Sequence, residues 1–249
     1  MTPAQSSIAE PDLRLGHSLA LHLGPGVLTT GAYLVLAPWM MARGYPALLG
    51  LLLVTTMVLI PLELGYLLYQ GKRTTGTLSL QGIVGNREPL PPRQYLVWPL
   101  VLFGWGFVSS ALASPMDRIA GQHLFSWLPG WFFVTSLDQF AAYSHGVRVT
   151  MFVLGIIVGG LAGPIVEELY FRGYLLPRMA RFGRSAPLLH GVLFSLYHFW
   201  TPWQNVSRML LVVPMTYLRW WKRNIYLTMF AHCALNAIVW AITFAPTLR

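Results

Sequence analysis

Charged residues are scarce in this chain, and their scarcity excludes most soluble folds. Only 10% of the 249 residues are Asp, Glu, Lys or Arg, whereas 55% are hydrophobic. Soluble domains carry about 25% charged residues, so the composition indicates a polytopic membrane protein. The chain also has a single cysteine, Cys233, which excludes a disulfide framework and a metal site built from several cysteines.

The net charge of +9 does not indicate nucleic acid as a partner. A nucleic-acid site usually shows basic residues clustered on one surface with aromatic residues between them, and no such run is present. The basic residues lie instead in short loops between apolar segments, where they set the orientation of membrane helices. We therefore expect membrane lipids as surroundings and no nucleic acid as a partner.

The apolar segments predict an all-α bundle of about seven transmembrane helices in one integral membrane domain, residues 1–249. Residues 1–14 form a polar tail, and residues 19–113 hold three spans, the first interrupted by Gly24-Pro25-Gly26. An aromatic patch at residues 125–133 predicts an interfacial helix, because Trp and Phe favour the membrane surface. Four further spans follow at about 149–176, 187–200, 206–218 and 225–244.

The distribution of Lys and Arg predicts a cytoplasmic N-terminus. With seven spans and this orientation, most basic residues fall on the cytoplasmic side, as the positive-inside rule requires. The other side holds Arg43, Arg118, Arg148, Arg208 and Arg249. The expected location is a plasma membrane, and the short loops favour a prokaryotic one.

Polar side chains occur within three of the predicted spans, where apolar residues are expected. They are Glu167, Glu168 and Arg172 in the fourth span, His198 in the fifth, and His232 and Asn236 in the seventh. At 1.5 Å per residue, each group lies about 15 Å from the cytoplasmic end of its helix. Ionisable groups within a membrane are costly, so groups that share one depth predict a functional site.

The residue types in this set suit hydrolysis of an amide bond. A carboxylate and a histidine can position and deprotonate a water molecule. A second histidine and an asparagine one turn away can donate hydrogen bonds to the oxyanion that forms when water attacks a carbonyl. Because a spacing of four residues brings Glu168 close to Arg172, we expect those two to pair and Glu167 to be left for the water.

The ordered set Glu167-Glu168-x-x-x-Arg172, Phe194-x-x-x-His198 and His232-x-x-x-Asn236 resembles the signature of the CAAX prenyl protease and bacteriocin-processing (Abi) family. The resemblance covers about residues 149–244, which it identifies as the catalytic core. It implies an intramembrane endopeptidase in which Glu167 and His198 activate water and His232 and Asn236 form the oxyanion hole. Its substrate would be a peptide or protein, and eukaryotic members remove a tripeptide after a prenylated cysteine.

The sequence does not decide whether the site requires a metal cofactor. Glu167, His198 and His232 are candidate ligands of a divalent metal such as zinc, because two histidines and a carboxylate can leave one coordination position free. The same three residues could equally activate water without a metal. The family is named as one of metalloproteases, and the residue types do not decide between the two alternatives.

Other function classes are less well supported by the sequence. The zinc-protease motif His-Glu-x-x-His, the serine-protease motif Gly-x-Ser-x-Gly and the aspartyl-protease motif Gly-x-Gly-Asp are all absent. The main alternative is a non-catalytic membrane protein of the same fold, such as an immunity or scaffold protein. A proton-coupled transporter is a more distant alternative, because repeated halves typical of transporters are not evident.

Overall fold

The computed structural model describes residues 12–85, 87–133 and 138–248. In these ranges the chain is almost entirely helical and contains no strand, which confirms the all-α membrane bundle. Most of the predicted polar tail, residues 1–11, and Arg249 lie outside the described residues.

The α-helices are α1 (Leu15–Met41), α2 (Ala47–Val54), α3 (Ile60–Thr75), α4 (Gln94–Ile119), α5 (Asp138–Ala141), α6 (His145–Leu154), α7 (Gly163–Glu167), α8 (Ala186–Leu196), α9 (Asn205–Lys222) and α10 (Tyr226–Phe244). π-helical segments lie at Thr55–Leu59, Ala120–Leu124, Gly155–Ala162 and Glu168–Leu175. Segments of 3₁₀ geometry lie at Gly130–Phe132, Leu176–Ser185, Pro202–Gln204 and Ala245–Leu248.

Five helical stretches in the described ranges are long and apolar enough to cross a membrane. They are Leu15–Met41, Ala47–Thr75, Gln94–Leu124, His145–Leu196 and Tyr226–Leu248. The fourth is 52 residues long, but its backbone leaves helical geometry at Met179 and Gly183, so it bends before α8. Helix α9, with 18 residues, is not among the five. Helices occupy the seven predicted positions, and how many cross the bilayer stays a prediction.

The predicted interruption of the first span at Pro25 is wrong, because α1 continues through it. A proline inside a helix has no N–H to donate to the carbonyl four residues earlier, here that of Leu21. The Tyr170 hydroxyl donates to the Leu21 carbonyl instead, at 2.8 Å. Such replacement donors from neighbouring helices are what allow proline within membrane helices.

The aromatic patch at residues 125–133 does not form the predicted interfacial helix. It consists of turns and one 3₁₀ turn, because Pro129-Gly130 interrupts the helical backbone. Part of the patch also packs inward: Phe132 is buried, with its ring 5.5 Å from that of Tyr33, and the ring of Phe133 lies 4.4 Å from that of Trp203.

Close packing of small residues brings α10 against the segment Gly155–Ala162. A Cβ atom added at Gly159 would lie 2.4 Å from Trp240 Nε1, and one at Gly160 would lie 3.0 Å from Ala237 Cα. Membrane helices gain little from apolar burial alone, because lipid is equally apolar, so close contact of this kind is what holds them together. It places the polar face of α10 beside α7.

Candidate active site

Glu168 and Arg172 form a buried ion pair at the start of the π-helical segment Glu168–Leu175. The Arg172 guanidinium donates to Glu168 Oε1, and both side chains are completely buried. The contact has the spacing and the partners predicted from the sequence. π-helical turns are rare and often occur at functional sites, and this one follows Glu167 directly.

Two residues of α10 complete the surroundings of Glu168. Thr228 Oγ1 donates to Glu168 Oε2 at 2.7 Å, and His232 Nδ1 lies 3.0 Å from Glu168 Oε1. A buried ion pair is tolerated when further hydrogen bonds satisfy its remaining lone pairs. Glu168 therefore joins the fourth predicted span to α10 and orients the imidazole of His232.

Glu167 faces both histidines and is also in contact with a tyrosine. His198 Nε2 lies 3.9 Å from Glu167 Oε1, and His232 Nε2 lies 3.7 Å from Glu167 Oε2. Both separations exceed a direct hydrogen bond and are short enough for one water molecule to reach both partners. The Tyr197 hydroxyl donates to Glu167 Oε1, a contact that the sequence did not predict.

His198 lies in a turn just beyond the end of α8, not within the helix as its predicted span implied. Its Nδ1 is 2.9 Å from the carbonyl of Phe194. A carbonyl only accepts hydrogen bonds, so Nδ1 must carry the proton. In the neutral imidazole this leaves the lone pair on Nε2, the atom that faces Glu167.

Asn236 lies two turns beyond Thr228 on the same face of α10. Its Nδ2 donates to the carbonyl of Gly159 at 3.2 Å, a contact that the close approach of α10 makes possible. This bond uses one of the two amide hydrogens and leaves the other free to donate to a second acceptor.

These side chains surround one cavity of about 380 Å³. Its walls include Glu167, Arg172, His198, His232 and Asn236, whereas Glu168 lies behind them. The volume lies within the range of about 300–1,000 Å³ typical of ligand pockets. Polar groups from α7, the turn after α8, and α10 thus meet in one place, as the shared depth predicted.

The comparison with protein families matches the part of the chain that builds this cavity. Residues 149–238 match the family model described as type II CAAX prenyl endopeptidase Rce1-like. Residues 149–238 are therefore an Rce1-like domain. The match confirms the resemblance that the three motifs indicated. Together with the five long apolar helical stretches, it supports a multi-pass membrane protein. No curated protein and no solved structure matches the chain.

Glu167, His198 and His232, the candidate metal ligands of the Rce1-like domain, all line the cavity. Among the described residues, no group of three or more His, Cys, Asp or Glu side chains is placed to hold a metal ion. Glu167 faces His198 and His232 at 3.9 and 3.7 Å, and the Tyr197 hydroxyl also donates to Glu167 Oε1. The separations between Glu167 and the two histidines leave room for one water molecule.

Sequence reasoning missed two residues that contact the carboxylates. Thr228 had a recognisable signal, because it lies one turn before His232 on the face that also carries Asn236. Tyr197 had no such signal in the sequence, because its contact with Glu167 joins residues 30 positions apart in different helical segments.

Proposed function

We propose that the Rce1-like domain is an intramembrane endopeptidase that hydrolyses a peptide bond with an activated water molecule and without a covalent intermediate. The observation that carries the proposal is the position of Glu167. Its carboxylate faces Nε2 of His198 and His232 at 3.9 and 3.7 Å within a cavity of the helical bundle. A general base must lie within hydrogen-bond reach of its proton, directly or through one water molecule.

In the first step a water molecule binds between Glu167 and His198. It donates one hydrogen bond to the Glu167 carboxylate and the other to the lone pair on His198 Nε2. As the water oxygen attacks the carbonyl carbon of the peptide, one proton moves to this pair. The tetrahedral intermediate then collapses, the C–N bond breaks, and the same proton passes to the leaving amine.

His232 and Asn236 stabilise the oxyanion of the tetrahedral intermediate. The carboxylate of Glu168, at 3.0 Å from Nδ1, holds the imidazole of His232 in place, as an aspartate orients the histidine in serine protease triads. In this role His232 donates from Nε2, and Asn236 donates the amide hydrogen that the Gly159 carbonyl leaves unused. Removal of one oxyanion donor of this kind lowers kcat by about 10²–10³-fold.

The substrate class and orientation follow from the same proposal. The cavity lies within a membrane-spanning bundle, so the substrate is a peptide or protein that reaches the bilayer, such as one with a lipidated C-terminus. The distribution of basic residues supports a cytoplasmic N-terminus and a cavity that is reached from the cytoplasmic side. A prokaryotic plasma membrane is the proposed location.

The test is cleavage of a quenched fluorescent peptide by the purified chain in lipid nanodiscs. The peptide carries a farnesylated cysteine followed by three residues, and mass spectrometry identifies the bond that is cut. Glu167→Gln keeps the shape of the side chain and removes the base, so kcat should fall about 10²–10⁴-fold. The control is Glu88→Gln, at an exposed carboxylate that pairs with Arg223 at 2.5 Å.

If the cleavage rate of Glu167→Gln is unchanged, Glu167 is not the general base and the proposed mechanism is wrong. Failure of the unaltered chain to cut this peptide, together with normal function of Glu167→Gln in cells, would favour the non-catalytic immunity or scaffold alternative. Proton flux in proteoliposomes that depends on Glu167 would favour the transporter.

A further inference from the structure

Arg208 is a cationic side chain in the wall of the active-site cavity that the proposed mechanism does not use. It lies in the first turn of α9 and is half-buried. Its guanidinium makes four hydrogen bonds, all to uncharged oxygen atoms. The acceptors are Thr201 Oγ1 at 2.7 Å, Asn205 Oδ1 at 3.2 Å, Gln204 Oε1 at 3.3 Å and the Ser195 carbonyl at 3.4 Å.

The guanidinium of Arg208 has no ion-pair partner in the part of the chain that the structure describes. No carboxylate oxygen among those residues lies within 4.0 Å of it, whereas Arg172 in the same cavity is paired with Glu168. Asp117 of α4 and Glu167 interact with Arg208 electrostatically from greater distances. Charged groups within membrane helices usually pair or mark the path of a substrate.

We propose that Arg208 binds the free C-terminal carboxylate of the peptide segment that follows the scissile bond. This inference rests on the proposed peptidase function and assigns the recognition of its substrate. Arg presents a planar fork of N–H donors that matches a carboxylate, and such charge-assisted bonds are about twice as strong as neutral ones. Three of the four present bonds are 3.2 Å or longer, so a carboxylate can replace them at low cost.

The cavity size favours a chain terminus over an internal acidic side chain. Its volume of about 380 Å³ lies near the lower end of the range for ligand pockets, and a short terminal segment beyond the cut fits inside it. Every such segment ends in a carboxylate, whatever its side chains. Binding of that group would place the scissile bond at a fixed number of residues from the terminus.

The test compares two forms of the farnesylated quenched peptide, one with a free C-terminal acid and one with a C-terminal amide. Both are given to the full chain in nanodiscs made of phosphatidylcholine alone, which removes anionic lipid headgroups as competing ligands. A hydrogen bond to a charged group contributes about 1.5–3 kcal/mol, so kcat/KM should be about 10- to 100-fold higher for the acid. Equal kcat/KM values for acid and amide would overturn the proposal without any variant.

Substitution of Arg208 then assigns the preference to this side chain. In Arg208→Gln the acid-to-amide ratio should fall to about one, and in Arg208→Lys, which keeps the charge but loses the fork, it should take an intermediate value. The control is Arg118→Gln, at an exposed arginine of α4 outside the cavity. It should keep the acid-to-amide ratio of kcat/KM that the unaltered chain shows. A full acid preference in Arg208→Gln would overturn the assignment.

A binding measurement separates this proposal from the proposed function. Fluorescence anisotropy of dye-labelled acid and amide peptides is measured with Glu167→Gln, which binds without cutting. Tighter binding of the acid, lost when Arg208→Gln is added, supports the carboxylate site even if the unaltered chain cuts neither peptide. In that case the proposed peptidase function is wrong and the carboxylate-binding site is retained. Equal binding of the acid and amide peptides would contradict the carboxylate-binding site.

Discussion

Gly26 of α1 lies directly against the backbone of Tyr197, the residue before His198. Substitution of Gly26 therefore tests whether α1 positions the turn that carries His198. A Cβ atom added at Gly26 would lie 1.9 Å from the Tyr197 carbonyl oxygen and 2.8 Å from its carbonyl carbon. Since real Cβ atoms essentially never approach within 3.0 Å, Gly26→Ala requires α1 or the turn after α8 to move by roughly 1 Å.

Two effects of Gly26→Ala follow from a shift of that size. Overpacking of a helix contact costs about 1–3 kcal/mol of unfolding free energy. For a chain of this length each kcal/mol lowers the melting temperature by about 2–4 °C. The turn that moves also carries His198, and a misplacement of about 1 Å in a catalytic group can cost about 100-fold in rate.

The measurement combines thermal unfolding in detergent with cleavage of the farnesylated peptide in nanodiscs. Gly24→Ala and Gly31→Ala are matched controls in the same helix, because a Cβ atom at either position meets nothing within 4 Å. They should keep the activity and raise stability by about 0.5–1 kcal/mol, as expected when glycine in a helix is replaced. If Gly26→Ala matches these controls in both melting temperature and rate, α1 does not position the turn.

Two further substitutions test the contacts that surround the carboxylates. Tyr197→Phe removes the hydroxyl that holds Glu167, so kcat/KM should fall about 10- to 100-fold, as expected for a lost hydrogen bond to a charged group. Tyr170→Phe also loses a buried hydroxyl but does not touch Glu167; an equal loss of activity there would contradict the assignment. Thr228→Val leaves Glu168 Oε2 without its donor, which should lower the unfolding free energy by about 1–3 kcal/mol in denaturation; unchanged stability would show that the bond contributes nothing.

The sequence alone determined the class of the protein and the identity of the residues in its centre. Scarce charge and long apolar segments require a membrane bundle, because lipid can neither solvate charges nor satisfy unpaired backbone groups. Helical spacing placed Arg172 beside Glu168 and Asn236 one turn beyond His232, because residues four apart share a helix face. Matching depths brought the three motifs to one level, and the structure places them around one cavity.

Only the tertiary structure decided which side chains complete that centre. The contact between Tyr197 and Glu167 spans 30 residues, and that between Thr228 and Glu168 spans 60. Helical spacing places Thr228 on the face of His232, but it does not show that this face meets Glu168. The sequence also does not show that Arg208, which the positive-inside rule predicts on the side opposite the cytoplasm, lies in the cavity wall. Periodicity predicts which face of a helix is polar. The rotation and approach of neighbouring helices, set here by contacts at Gly26 and Gly159, decide what that face meets.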